Sequence, residues 1–131
     1  MVHGSGFSFS APVGWKTSRT LHSVAALGGG SRVSVTTYTL QKTYRPALFA
    51  AATRELDRIA AKLAAEAGKP LSQKETVDVD GQQIRAYRFG TTRIGFFFVA
   101  KREFELLCQL PADGHDEGGA CAMLFHSFSV P

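Results

Sequence analysis

A chain of 131 residues has the length of one domain and can bury about two-thirds of the surface its unfolded form exposes. With 44% hydrophobic residues, ten phenylalanines and 20% charged residues, it is excluded from the disordered class, which carries too little apolar surface to fold. The net charge of +4 comes from basic residues interleaved with acids, a solvated surface and not a nucleic-acid stripe, and no apolar run reaches the ~18 residues of a membrane span.

Residues 1–5 carry neither a basic region nor an apolar one, and are expected to be a disordered, artificial start left where a leader was removed. Phe7-Ser8-Phe9-Ser10-Ala11 alternates apolar and small polar residues, so it reads as a short strand ended by Pro12 and Gly14. Trp15 opens a second extended piece. After a Ser/Ala stretch, Gly28-Gly29-Gly30 makes a flexible tip, and residues 32–40 hold Val33, Val35, Thr36, Thr37 and Thr39, whose branched side chains favour a strand. The predicted outcome is an N-terminal hairpin or meander.

Between residues 45 and 67 the period changes. Leu48, Ala52, Leu56, Ile59 and Leu63 recur at helical spacing, which predicts a long amphipathic helix lying across a sheet. Pro46 suits its first turn and Gly68 its end, while Arg54, Glu55, Asp57, Arg58 and Lys62 are assigned to the wetter surface.

The second half reads as another meander, with strands over residues 76–80 and 82–89 joined at Asp80-Gly81, then 92–100 and 103–110 turning at Lys101-Arg102. Its basic residues Arg85, Arg88, Arg93, Lys101 and Arg102 are scattered over both faces by strand alternation. In Ile94-Gly95-Phe96-Phe97-Phe98-Val99-Ala100 both alternating faces are apolar, so this strand is expected to be covered on both sides. A second helical layer must therefore exist. Cys121, Leu124, Phe125 and Phe128 supply it as one apolar stripe from about Ala120, with Asp116 and Glu117 near its positive N-terminal end. The predicted fold is α/β of the α+β kind: one domain over residues 1–131, a twisted, mainly antiparallel sheet between a long helix and a short one.

Cys108 shares a strand face with Phe104, Leu106 and Leu110, and Cys121 lies on the apolar stripe, so both cysteines point into one interface. A disulfide closing that loop contributes ~3 kcal/mol in the chain-entropy model. The alternative is two buried thiols packed as small hydrophobes. A redox-catalytic pair does not fit, because there is no Cys-x-x-Cys and no basic residue flanks Cys108.

No catalytic residue, metal site or cofactor site is assigned. Asp113-Gly114-His115-Asp116-Glu117 gathers four possible ligands but matches no metal-loop spacing, and reads as an exposed turn before an acidic helix start. There is no Gly-x-Ser-x-Gly elbow and no His-Glu-x-x-His. Neither His22-Ser23 nor His126-Ser127 aims its side chains at each other, and no Lys-Ser/Thr follows the triple glycine to make a phosphate loop.

The opening Phe9-Ser10-Ala11-Pro12-Val13-Gly14-Trp15 has the form Phe-x-x-Pro-x-Gly-Trp. With the meander, long helix, second meander and the ending Cys…Cys…Ser127-Phe128, it resembles the PsbP-like superfamily. That group includes the extrinsic subunit of photosystem II, a Ran-binding nuclear import factor and bacterial lipoprotein domains of the DcrB and LpqN kinds. The resemblance implies a three-layer α-β-α sandwich and a non-enzymatic role. It also implies export, secreted or membrane-tethered through a leader, and a Cys108–Cys121 bridge. The function expected is an extracytoplasmic accessory or binding domain of the cell envelope that presents a surface to a protein partner, without nucleic acid and without membrane insertion of this domain. The alternative is a small apolar-ligand carrier with a pocket between the sheet and the long helix, lined by Phe49, Phe96 and Phe98.

Overall fold

The computed structural model describes residues 1–131, with every side chain except that of Glu117. The chain runs β1 (Val2–Gly4), β2 (Phe7–Phe9), β3 (Lys16–Arg19), β4 (Ser23–Gly28), β5 (Ser31–Thr39), a single 3-10 turn, α1 (Phe49–Glu66), β6 (Leu71–Val79), β7 (Gln82–Phe89), β8 (Thr92–Val99), β9 (Arg102–Gln109), a second 3-10 turn and α2 (Ala120–Ser127). β1 and β2 form a small hairpin. The other seven strands make one antiparallel sheet in the order β3-β4-β5-β9-β8-β7-β6. Each meander folds locally, and the two join where the last strand of one pairs with the last strand of the other, Val33 opposite Cys108 and Val35 opposite Leu106.

Turn chemistry accounts for the local joints. Asp80 (φ 49°) and Gly81 (φ 77°) both take positive φ, as a two-residue hairpin requires. Gly68 (φ 68°) ends α1: its N–H donates to the Ala65 carbonyl and the Lys69 N–H to the Ala64 carbonyl, both at 3.0 Å, so the last carbonyls are satisfied.

The central strand β8 is dry on both sides. Ile94 and Phe96 face α1 and are 3% and 4% exposed, while Phe97 (3%) faces α2. The α2 face holds the larger core, in which the Phe104 ring lies 5.5 Å from both Phe7 and Phe128, and Phe97 lies 5.1 Å from Phe128. α2, together with the β1–β2 hairpin, thus forms the third layer of an α-β-α arrangement.

The structure differs from the expected elements at several points. Residues 2–4 are ordered, not disordered: they form β1, which pairs with β2, Val2 is buried, and Ser8 and Ser129 exchange two backbone hydrogen bonds of 2.9 Å. The Ser/Ala stretch is strand β4, and β6 begins at Leu71, five residues before the expected start, because an edge strand tolerates the polar run that hides it. The β8–β9 turn falls at Ala100-Lys101, with Ala100 at φ 51°. Finally, α1 is rotated: it buries Leu56, Ala60 and Ala64, and leaves Leu48 and Ile59 exposed. The alanines let the helix backbone approach the sheet, where Tyr87, Phe89, Ile94 and Phe96 already supply the bulk.

Candidate functional site

α1 packs on β6 and β7 and, through Ile94 and Phe96, on β8. On the same face its cluster extends to Leu107 of β9 and no farther along the sheet, leaving β3, β4, β5 and the Glu103–Glu105 end of β9 without a helix above them. Alternation places Lys16 and Ser18, then Ser23, Ala25 and Leu27, then Arg32, Ser34, Thr36 and Tyr38, then Glu103 and Glu105 on this open half. Ala25 and Ser34 are buried between taller neighbours and form a small-residue floor, whereas Leu27 and Tyr38 stand 38% and 45% exposed.

The open half is electrically polarised. Glu103 and Glu105 sit at one end, paired in register with Tyr38 and Thr36; Arg32 and Lys16 sit at the other, flanking Leu27. Burial raises the affinity of Glu103 for its proton, and the charge of Glu105 raises it further. Burial does the same to Glu105, partly offset by the 3.5 Å hydrogen bond that the Tyr38 hydroxyl donates to its Oε2. Burial followed by the charges of Glu105 and Glu103 pushes Tyr38 up as well. Neither carboxylate has a cationic partner among the described residues.

A second polar cluster lies under α1, and it is closed. Asp57, assigned to the wet surface by helical periodicity, turns inward: its Oδ1 accepts from the Tyr87 hydroxyl at 2.5 Å and from Arg85 Nε at 3.1 Å, and Arg85 Nη1 also donates to Thr76 Oγ1 at 3.2 Å. Burial opposes ionisation of Asp57, but the hydrogen bonds from Tyr87 and Arg85, with the charges of Arg85 and Lys74, outweigh it and hold the carboxyl below its ordinary range. Tyr87 is fully buried, and burial followed by Asp57 pushes its hydroxyl far above the usual tyrosine value. This triad locks the helix to the sheet.

The two cysteines meet as a disulfide with Cα atoms 5.5 Å apart, pinning α2 to β9 on the side opposite Glu103 and Glu105. The same helix is held by Arg93, which stacks 4.0 Å from the Phe125 ring centroid and pairs with Glu75 at 3.1 Å. In the 113–117 loop, Asp113 accepts the His115 N–H at 2.9 Å and Asp116 accepts the Cys121 N–H at 3.2 Å, so these carboxylates serve their own backbone; the side chain of Glu117 lies outside the described residues. Gly29 and Gly30 form the β4–β5 turn. Ser23 Oγ accepts from Thr36, and Ser127 Oγ accepts the Ser10 N–H at 2.7 Å, which leaves both serines in structural roles.

Phe49, Phe96 and Phe98 do not line one pocket. Phe96 is packed beneath α1, Phe98 stacks on Tyr44 at 5.0 Å, and Phe49 borders an open depression of about 440 Å³ with Tyr44, Pro46 and Gln83 at the start of the helix. The Phe-x-x-Pro-x-Gly-Trp run makes a corner: Phe9 is fully buried, the Trp15 N–H donates to the Pro12 carbonyl at 3.3 Å, and the indole lies on Gly28, where no side chain would fit. No described helix is long and apolar enough to cross a membrane.

No family model matches this chain, and no curated protein matches it. Among solved structures, one from Bacteroides thetaiotaomicron VPI-5482 superposes with a TM-score of 0.55 at 12% identity, over 96% of this chain and 45% of that one. This chain thus spans less than half of that protein's length. At such identity the likeness establishes the fold alone, a mixed α/β architecture with a mainly antiparallel sheet of seven strands flanked by helices.

Proposed function

We propose that the domain is a non-enzymatic, extracytoplasmic binding module that docks a protein partner of the cell envelope on the open half of its sheet. The observation that carries this reading is the pair Glu103 and Glu105, half-buried, without a cation, on a small-residue floor that no helix covers. Desolvated carboxylates raise the free energy of the free domain, and a partner that brings Lys or Arg removes that cost. Arg32 and Lys16 at the far end orient the partner, whose acidic side chains face them.

The disulfide supports export, because such bonds persist in oxidising compartments. The likeness of the opening corner and element order to the PsbP-like superfamily supports an accessory role. Site-specific photocrosslinking in the native envelope tests the reading. A crosslinker at Thr36 is expected to give one discrete adduct that E103K/E105K abolishes, while one at Arg58, on the outer face of α1, gives none. Equal labelling from both positions, or no adduct from Thr36, would sink it.

A further inference from the structure

On the other side of the sheet, a cavity of about 290 Å³ opens between the β1–β2 hairpin and the β3–β4 turn. Its floor is apolar, made by Phe7 and Val24, both buried. Arg19, Arg102, Thr20, Thr37 and His22 also line it, and no carboxylate does. Neither arginine enters an ion pair among the described residues.

Arg102 is also held in place without a counter-ion. Its guanidinium lies 5.2 Å from the Phe104 ring centroid and presses against Gly6, where a Cβ would collide with it. Gly6 has φ +81°, a conformation glycine adopts freely. A guanidinium stacked on a ring beside a cavity that holds no carboxylate keeps its donors free for an incoming anion. The volume is at the low end of ligand pockets, roughly 300–1,000 Å³, which limits the occupant to a small molecule or a headgroup.

We propose that this cavity binds a phosphate monoester, its oxygens between the two guanidinium groups and the threonine hydroxyls and its organic part against Phe7 and Val24. Arginine matches this role because its planar donors engage several phosphate oxygens at once and stay charged at every relevant pH. The ligand comes either from a small soluble phosphoester or from a lipid headgroup of phosphatidic acid type. Leu21, 90% exposed at the mouth, is placed to meet an acyl surface in the second case.

The test uses the full chain, with its disulfide intact, at about 0.15 M salt so that diffuse attraction is screened. Titration with phenyl phosphate is expected to shift the amide resonances of Thr20, Leu21 and Thr37, and to bind more tightly than inorganic phosphate because the ring gains the apolar floor. Arg102→Gln should weaken phenyl phosphate about tenfold, the loss of one charge-assisted contact. Arg19→Gln, at an exposed position, is the second variant should Arg102→Gln fail to fold, and should weaken it comparably. Sedimentation with phosphatidic acid vesicles against phosphatidylcholine vesicles separates the two sources: retention on the former, lost in Arg19→Gln, identifies the lipid, and no retention beside phenyl phosphate binding identifies the soluble ester. Absence of both responses, or responses that neither arginine variant alters, would overturn the site.

Discussion

Two halves of one sheet face treat their charges in opposite ways. Under α1, Asp57, Arg85 and Tyr87 satisfy one another, and the carboxyl is driven toward its charged form. On the neighbouring open half, Glu103 and Glu105 are desolvated without a cation, and are driven toward their neutral form. The difference separates charge used inside the fold from charge left over. A paired cluster closes an interface already made, while an unpaired one marks a surface whose electrostatics are completed only by something else.

β9 is common to both readings, since it carries Glu103 and Glu105 on one side and Cys108 on the other. The largest effect is therefore expected from Cys108→Ser/Cys121→Ser, which should lower unfolding free energy by about 3 kcal/mol in urea titrations. An unchanged midpoint would mean that β9 does not need its covalent tie to hold the open face in register. Next comes Asp57→Ala, which leaves the Tyr87 hydroxyl unpartnered and Arg85 without its carboxylate, held only by Thr76. About 2 kcal/mol is expected, below the value for a sealed pair because both charged groups keep some solvent. A loss under about 0.5 kcal/mol would erase the contrast between the two halves.

The smallest effect is the most diagnostic, because its sign differs. Asp57 has a depressed carboxyl, so its stabilisation is complete above the unfolded-state value and is lost as pH falls through and below it. Glu103 and Glu105 are raised in the folded state. Their contribution is fully present below the unfolded value near 4.5 and is lost as pH rises through the folded-state values. Glu103→Gln/Glu105→Gln should accordingly be more stable than the parent at about pH 7, by less than about 1 kcal/mol, and lose that advantage as pH falls toward about 4.5. Destabilisation at neutral pH would show that the carboxylates serve the fold.

Much of this molecule was legible locally. The periodicity of 45–67, the Asp80-Gly81 turn and the doubly apolar run around Phe96 and Phe97 are properties of neighbours in the chain, and from them followed the layers and the convergence of Cys108 with Cys121. Strand alternation also puts Glu103 and Glu105 on one face whatever the sheet's surroundings. What alternation does not determine is whether that face meets a helix or water.

That was decided by tertiary structure alone. The β5–β9 pairing joins segments about seventy residues apart, and α1 comes to rest over β6–β8 because Leu56, Ala60 and Ala64, and not Ile59, fit the aromatic strands there. The same docking turned Asp57 inward and left Glu103 and Glu105 uncovered. The β1–β2 hairpin, packed by Val2 and Phe7, completed the cavity of Arg19 and Arg102. Side-chain type and spacing are local quantities, whereas the dryness of a face depends on which distant element lands on it.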